Sequence, residues 1–223
     1  MILLVIACSP MTSCSKPLNE TTNNINISRT NGKSIVQICS LASANGGTEH
    51  LVACGVVVGD GSEILTTLNP GFEVSNILDV VAPGYGQYQA SVQKIDAKTR
   101  TALLKLEGAN LPAAATGTAD SLQVTYQGWG YSNSSQITFV KFPALISDYQ
   151  LPSYPSIFTI QLLSTTAVIG WPDITPGIVI TNKNGKVVGL EAILPYSIES
   201  NIRYIPVVHI EDALKLISLT ADQ

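Results

Sequence analysis

The sequence predicts an all-β fold of short antiparallel strands, closed by one short C-terminal helix. Three observations carry this. Val, Ile, Thr, Gly and Pro are plentiful, and long stretches of helical periodicity are nearly absent. Apolar runs of strand length recur and are separated by turn signals at Gly46-Gly47, Asp60-Gly61, Pro83-Gly84 and Asn184-Gly185. Only His209 to Ser218 has helical spacing, with Ile210, Ala213, Leu214, Leu216 and Ile217 apolar.

The chain of 223 residues is 45% apolar and 13% charged, which marks it as globular rather than disordered. At about 200 residues a fold buries roughly 70% of its unfolded surface, so the core needs no metal or staple. The net charge of −4 has no basic cluster behind it, which argues against nucleic acid as a partner. There are four cysteines without a Cys-x-x-Cys pair, and only two histidines, His50 and His209. No metal site and no cofactor is expected from that set.

The N-terminus reads as an export segment over residues 1–13. Met1 to Ala7 is apolar and runs into Cys8, so Val5-Ile6-Ala7-Cys8 is similar to a bacterial lipobox. Cys8 is the expected lipidation site, and Cys14, after Met11-Thr12-Ser13, is a second candidate. An ordinary cleaved or frayed apolar end is the alternative. The run falls short of the roughly 20 residues a membrane-spanning helix needs. Residues 14–33 are rich in Ser, Thr and Asn, lack an apolar period and read as a flexible tether. The expectation is an exported, extracytoplasmic protein with a possible membrane tether through a lipidated cysteine.

Ser34 to Leu41 alternates as a strand, and His50 to Val58 returns. If the intervening turn centres between Gly46 and Gly47, Cys39 lies directly opposite Cys54. Facing cysteines at about 5.5 Å between Cα atoms are within bridging reach, so a Cys39–Cys54 disulfide is expected, with two buried free thiols as the alternative. Gly55 to Val58, the Asp60-Gly61 turn and Ile64-Leu65-Thr66 form a second hairpin. Strands at Ile77 to Ala82 and Tyr88 to Ile95 follow, then Asp96 and the run Ala102 to Leu106. In the second half, Leu122 to Tyr126, Gln136 to Phe142 and Ser156 to Leu163 read as strands. Ile178 to Thr181, a type I′ turn at Asn184-Gly185, and Lys186 to Leu190 make the last hairpin.

Four of these patterns, in this order, resemble the trypsin-like serine proteases, especially the HtrA-like branch. Cys54-Gly55-Val56-Val57-Val58 with Ile64-Leu65-Thr66 matches the segment that leads to the family's catalytic histidine. Asp96 with Ala102-Leu103-Leu104-Lys105-Leu106 matches the segment around its aspartate. Gly177 to Gly189 matches the strand, Asn-Gly turn and strand after its serine, and Tyr204-Ile205-Pro206 matches its closing Ala-Ile-Pro. The resemblance covers roughly Ser34 to Ser218. It implies two packed six-stranded antiparallel β-barrels, residues 34–117 and 118–223, the second carrying the terminal helix.

The resemblance also implies that the chemistry is gone. The histidine position holds Asn69, which cannot accept a proton near neutral pH. The aspartate position holds Arg100, which reverses the charge that steadies an imidazolium. The serine position holds Pro176, which supplies neither a hydroxyl nor a backbone N–H. That N–H is an oxyanion-hole donor in the family, and losing one such donor costs about 2.7–4 kcal/mol of transition-state stabilisation. Thr175 neighbours the nucleophile position, and Asp173 and Arg100 are the charged residues near it. The expected function is a non-catalytic protease-like binding or scaffold module engaging peptide or protein. The alternative is a serine endopeptidase with an unrecognised active site.

Overall fold

A computed structural model describes residues 32–40, 51–69, 72–119, 126–132, 138–150, 157–162, 175–194 and 204–218. The chain is mostly β, with a short C-terminal helix. The expected export segment, most of the tether, Cys8, Cys14, His50 and Asp173 lie outside the described residues.

The first sheet is built from β1 (Ile35–Ser40), β2 (Leu51–Val58), β3 (Glu63–Thr67), β4 (Ile77–Ala82), β5 (Gly86–Asp96) and β6 (Thr101–Leu106). They pair in the order β1–β2–β3–β6–β5–β4, and β4 returns to β1, so the sheet closes into a six-stranded antiparallel barrel. Alternation fills its interior with Val36, Ile38, Val57, Ile64, Val80, Ala90 and Leu104, among others. The turns follow the sequence. Asp60 accepts hydrogen bonds from the Ser62 backbone N–H and from its hydroxyl, and Gly59 and Gly61 take the positive φ values of 62° and 93° that the β2–β3 loop needs.

The second sheet comprises β7 (Tyr126–Ser132), β8 (Thr138–Gln150), β9 (Ile157–Leu162), β10 (Val179–Thr181), β11 (Val187–Glu191) and β12 (Tyr204–His209). Its ladder runs β10–β11–β12–β9–β8–β7, and β7 also pairs with β10. Tyr126, Ile160, Ile178, Ile180, Val188, Ile205 and Val207 pack together inside it. A third apolar cluster lies between the sheets. It joins Ile35, Cys54, Val56, Leu65 and Leu103 of the first to Trp129, Tyr131, Val179 and Leu190 of the second. Helix α1 (Ile210–Ser218) adds Ile210, Ala213 and Leu216 to this cluster from its apolar face. Glu211 and Asp212 sit in its first turn and Lys215 in its last, each at the end of the helix dipole that favours its charge.

Three expectations are corrected. The strand expected to end at Tyr126 runs on through Gly128-Trp129-Gly130 to Ser132, and Trp129 Nε1 donates to Thr181 Oγ1 at 2.8 Å. A buried indole N–H needs an acceptor, and pairing with β10 supplies one despite the flanking glycines. The last hairpin does not use a type I′ turn. Only Gly185 has positive φ, 74°, and Asn182 accepts from Gly185 N–H at 2.9 Å while its own N–H donates to Lys186 O at 2.9 Å. That is a three-residue loop with the glycine in the left-handed position, and the Asn182 side chain caps it by accepting from Asn184 and Lys186 N–H.

The third correction concerns the cysteines. Gln37 faces Cys54, and a bulge between Ile38 and Cys39 sets Cys39 opposite Leu51. The two cysteines are therefore not partners. Cys54 is a free, fully buried thiol, and Cys39 is disulfide-bonded to a partner outside the described residues. Alkylation of the native, unreduced protein should leave Cys54 unmodified. Denaturation without reductant should make Cys54 reactive, and Cys39 should react only after reduction. Peptide mapping by mass spectrometry reads both steps.

Candidate functional site

The three positions that the resemblance singles out converge on one end of β2. Asn69 follows β3, and its Nδ2 donates to Val52 O at 2.9 Å. Arg100 closes the turn into β6. Asp96 shapes this turn by accepting from Lys98 N–H at 2.8 Å and from Thr99 Oγ1 at 2.8 Å. The turn holds Arg100 at a φ of 56°, a left-handed conformation uncommon for a residue with a side chain. Arg100 O accepts from Leu68 N–H at 2.8 Å, one residue before Asn69. Pro176 O accepts from Cys54 N–H at 2.6 Å, which ties the loop before β10 to β2 of the other sheet.

Glycine is required next to the proline. Gly177 has a φ of 94°, and a Cβ there would sit 2.3 Å from Cys54 O. The loop lies this close because β2 and β10 share the apolar cluster between the sheets.

Each backbone donor of this loop is committed within the protein. Thr175 N–H donates to Tyr131 O at 2.8 Å. Pro176 has no N–H. Gly177 and Ile178 N–H both donate to Glu191 Oε2, at 2.8 Å and 3.1 Å. Glu191 ends β11. Its carboxyl is enclosed, although the residue as a whole keeps some exposure. Burial raises its pKa above the ordinary 4.5, and the two N–H groups partly offset this by stabilising the charged form.

The candidate nucleophiles are equally constrained. Burial pushes the Cys54 thiol up to about 12, against a backbone hydrogen bond from Tyr131 and with a smaller push from the Glu191 charge. It is a thiol, not a thiolate, at neutral pH. Thr175 is 2% exposed, and its Oγ1 has no hydrogen-bond partner. No base among the described residues reaches it: His209 instead stacks on Phe158, with ring centroids 4.4 Å apart.

Arg100 does something the sequence did not suggest. Its Nε donates to Ile193 O at 2.8 Å, across 93 residues. Ile193 N–H donates to Thr67 Oγ1 at 3.2 Å, so both backbone groups of Ile193 are engaged by the first sheet. Glu191, Cys54 and Thr67 were missed as members of this site. A lone acid at the end of an apolar return strand was the only signal for Glu191. Nothing local marks Thr67 or Cys54.

Among the described residues no group of three or more His, Cys, Asp or Glu side chains is placed to hold a metal. No family model matches the chain, and no curated protein matches it.

Two predictions follow from this geometry. Gly177→Ala adds strain at positive φ and a clash with Cys54 O, each costing about 1–3 kcal/mol. Urea unfolding should show a loss of about 2–6 kcal/mol in total at unchanged m-value. For Glu191 the pKa is raised on folding, so its stabilising contribution is present at acid pH and is lost as pH rises from about 4.5 through the raised value. Glu191→Gln cannot ionise. Its stability relative to wild type should therefore increase across that window, as read from unfolding midpoints at successive pH values.

Proposed function

We propose that this chain is a trypsin-like double-barrel module that has lost peptidase chemistry and engages a peptide or protein without cleaving it. The carrying observation is the loop from Thr175 to Ile178, where each backbone N–H is either absent or held by Tyr131 O or Glu191. An acyl-transfer site needs free donors aimed at a developing oxyanion. Under the resemblance, Asn69, Arg100 and Pro176 take the positions of base, orienter and nucleophile, and none can serve. The ladder order of the second sheet, with β7 paired back to β10, supports the two-barrel architecture. Export, with Cys8 as the lipid-bearing residue, is part of the same proposal and rests on the sequence alone.

Strand addition at Ile193 would have to displace both Thr67 and Arg100. The second reading, a hydrolase, has one observation in its favour: the unpartnered Thr175 hydroxyl. It is buried, with no described base in reach.

A fluorophosphonate probe and unfolded casein distinguish the two readings. The folded domain, with circular dichroism as the folding control, should show no covalent label and no cleavage by mass spectrometry. A label on Thr175, or on any single serine, would overturn the non-catalytic reading and mark the true site.

A further inference from the structure

Cys39 is held in a disulfide, and Cys54 is a free thiol. The chain has four cysteines, so the partner of Cys39 is one of the remaining two, Cys8 or Cys14, both outside the described residues. Either choice joins the N-terminal segment covalently to the first barrel. Cys39 is fully buried near the end of β1, and its register partner is Leu51, the first residue of β2. The next residue, Val52, accepts from Asn69 Nδ2 at 2.9 Å. The bond therefore meets the barrel at the end that carries Asn69.

We propose that Cys14 is the partner of Cys39, and that this bond shortens the tether to a lipid carried on Cys8. The inference rests on the export reading, which puts the lipid on Cys8. A lipidated cysteine holds its lipid through a thioether, so its sulfur is no longer a thiol and cannot enter a disulfide. The lipid takes Cys8 and the disulfide takes Cys14, which removes Cys14 as a second lipidation site. Two independent features agree on the compartment. A disulfide at Cys39 suits an oxidising environment outside the cytoplasm, and the run Val5-Ile6-Ala7-Cys8 is similar to a lipobox.

The bond changes the reach of the tether. At about 3.4 Å per extended residue, Cys8 can stand about 80 Å from Gly32 along the chain. Through the disulfide the path is about 20 Å from Cys8 to Cys14, plus about 5.5 Å between the bonded Cα atoms. Residues 15–31 no longer set the distance. The first barrel is then kept close to the membrane, with its Asn69 end nearest the anchor. The partner of a non-catalytic module held in this way is a peptide or protein met at the membrane surface.

The test is disulfide mapping of the full chain, exported in bacterial cells and taken from the membrane fraction without reductant. Denaturation in iodoacetamide caps Cys54. Cyanogen bromide then cuts after Met11, which lies between Cys8 and Cys14, and trypsin cuts after Arg29 and Lys33. Mass spectrometry should find residues 12–29 joined to the peptide that begins at Ser34 and contains Cys39, and reduction should separate the two. Residues 8–11 should appear apart from them and carry the mass of a lipid. Residues 8–11 joined to Cys39 overturn the assignment to Cys14. Capping of Cys39 before reduction, or a dimer that reduction dissolves, overturns the bond within the chain. Residues 12–29 joined to Cys39 beside an unmodified Cys8 leave the bond standing and sink the lipid reading, and with it the short tether. Cys14→Ser should free Cys39 for capping without reductant, whereas Cys8→Ser should leave it protected. Mapping of the unaltered protein decides the pairing whether or not these variants fold.

Discussion

The contact between Pro176-Gly177 and Cys54 sets the rest of the site. Cys54 N–H reaches Pro176 O at 2.6 Å, and Gly177 leaves no room for a side chain against Cys54 O. With the loop this close, Thr175 is pressed into the seam and its N–H turns to Tyr131. The N–H groups of Gly177 and Ile178 then face inward, away from water. Buried donors must be satisfied, and Glu191 does so at the cost of burying a carboxylate. One close approach thus accounts for a glycine, a raised pKa and the lack of a free donor in the described loop.

The same seam explains how an arginine is accommodated at position 100. A buried arginine without a partner is costly. Here Nε is satisfied by a carbonyl of the other sheet, and the residue as a whole is only partly buried. The arginine fastens the two sheets together on the side where Thr67 holds the other backbone group of Ile193.

Much of the first sheet was legible in the sequence. Alternation and the Asp60-Gly61 turn placed β2 and β3, and β4 came out at its observed limits of Ile77 and Ala82. Register was not legible. Ile38 and Cys39 are both apolar and both buried, so no side-chain pattern betrays the bulge between them that moves Cys39 off Cys54. The run of β7 through Gly128-Trp129-Gly130 was not legible, because local propensity disfavours glycine in a strand. The bond from Trp129 to Thr181, 52 residues away, overrides it. Ordered motifs singled out Asn69, Arg100 and Pro176. Their partners Val52, Ile193 and Cys54 could not be read, because each contact joins segments far apart in the chain. The lipid and export reading lies in residues that the structure does not describe.

Hydrogen exchange at the Gly177 and Ile178 amides tests the central claim most directly, that this loop is closed onto Glu191 and the first sheet. If it is, both amides should exchange only through opening close to the global unfolding free energy, in step with Cys54 N–H. Glu191→Gln should raise their exchange rate well above that of the β6 amides. Exchange of Gly177 and Ile178 at the rate of a solvent-facing loop in the unaltered protein would contradict the account, because donors that open freely to water could equally receive an oxyanion.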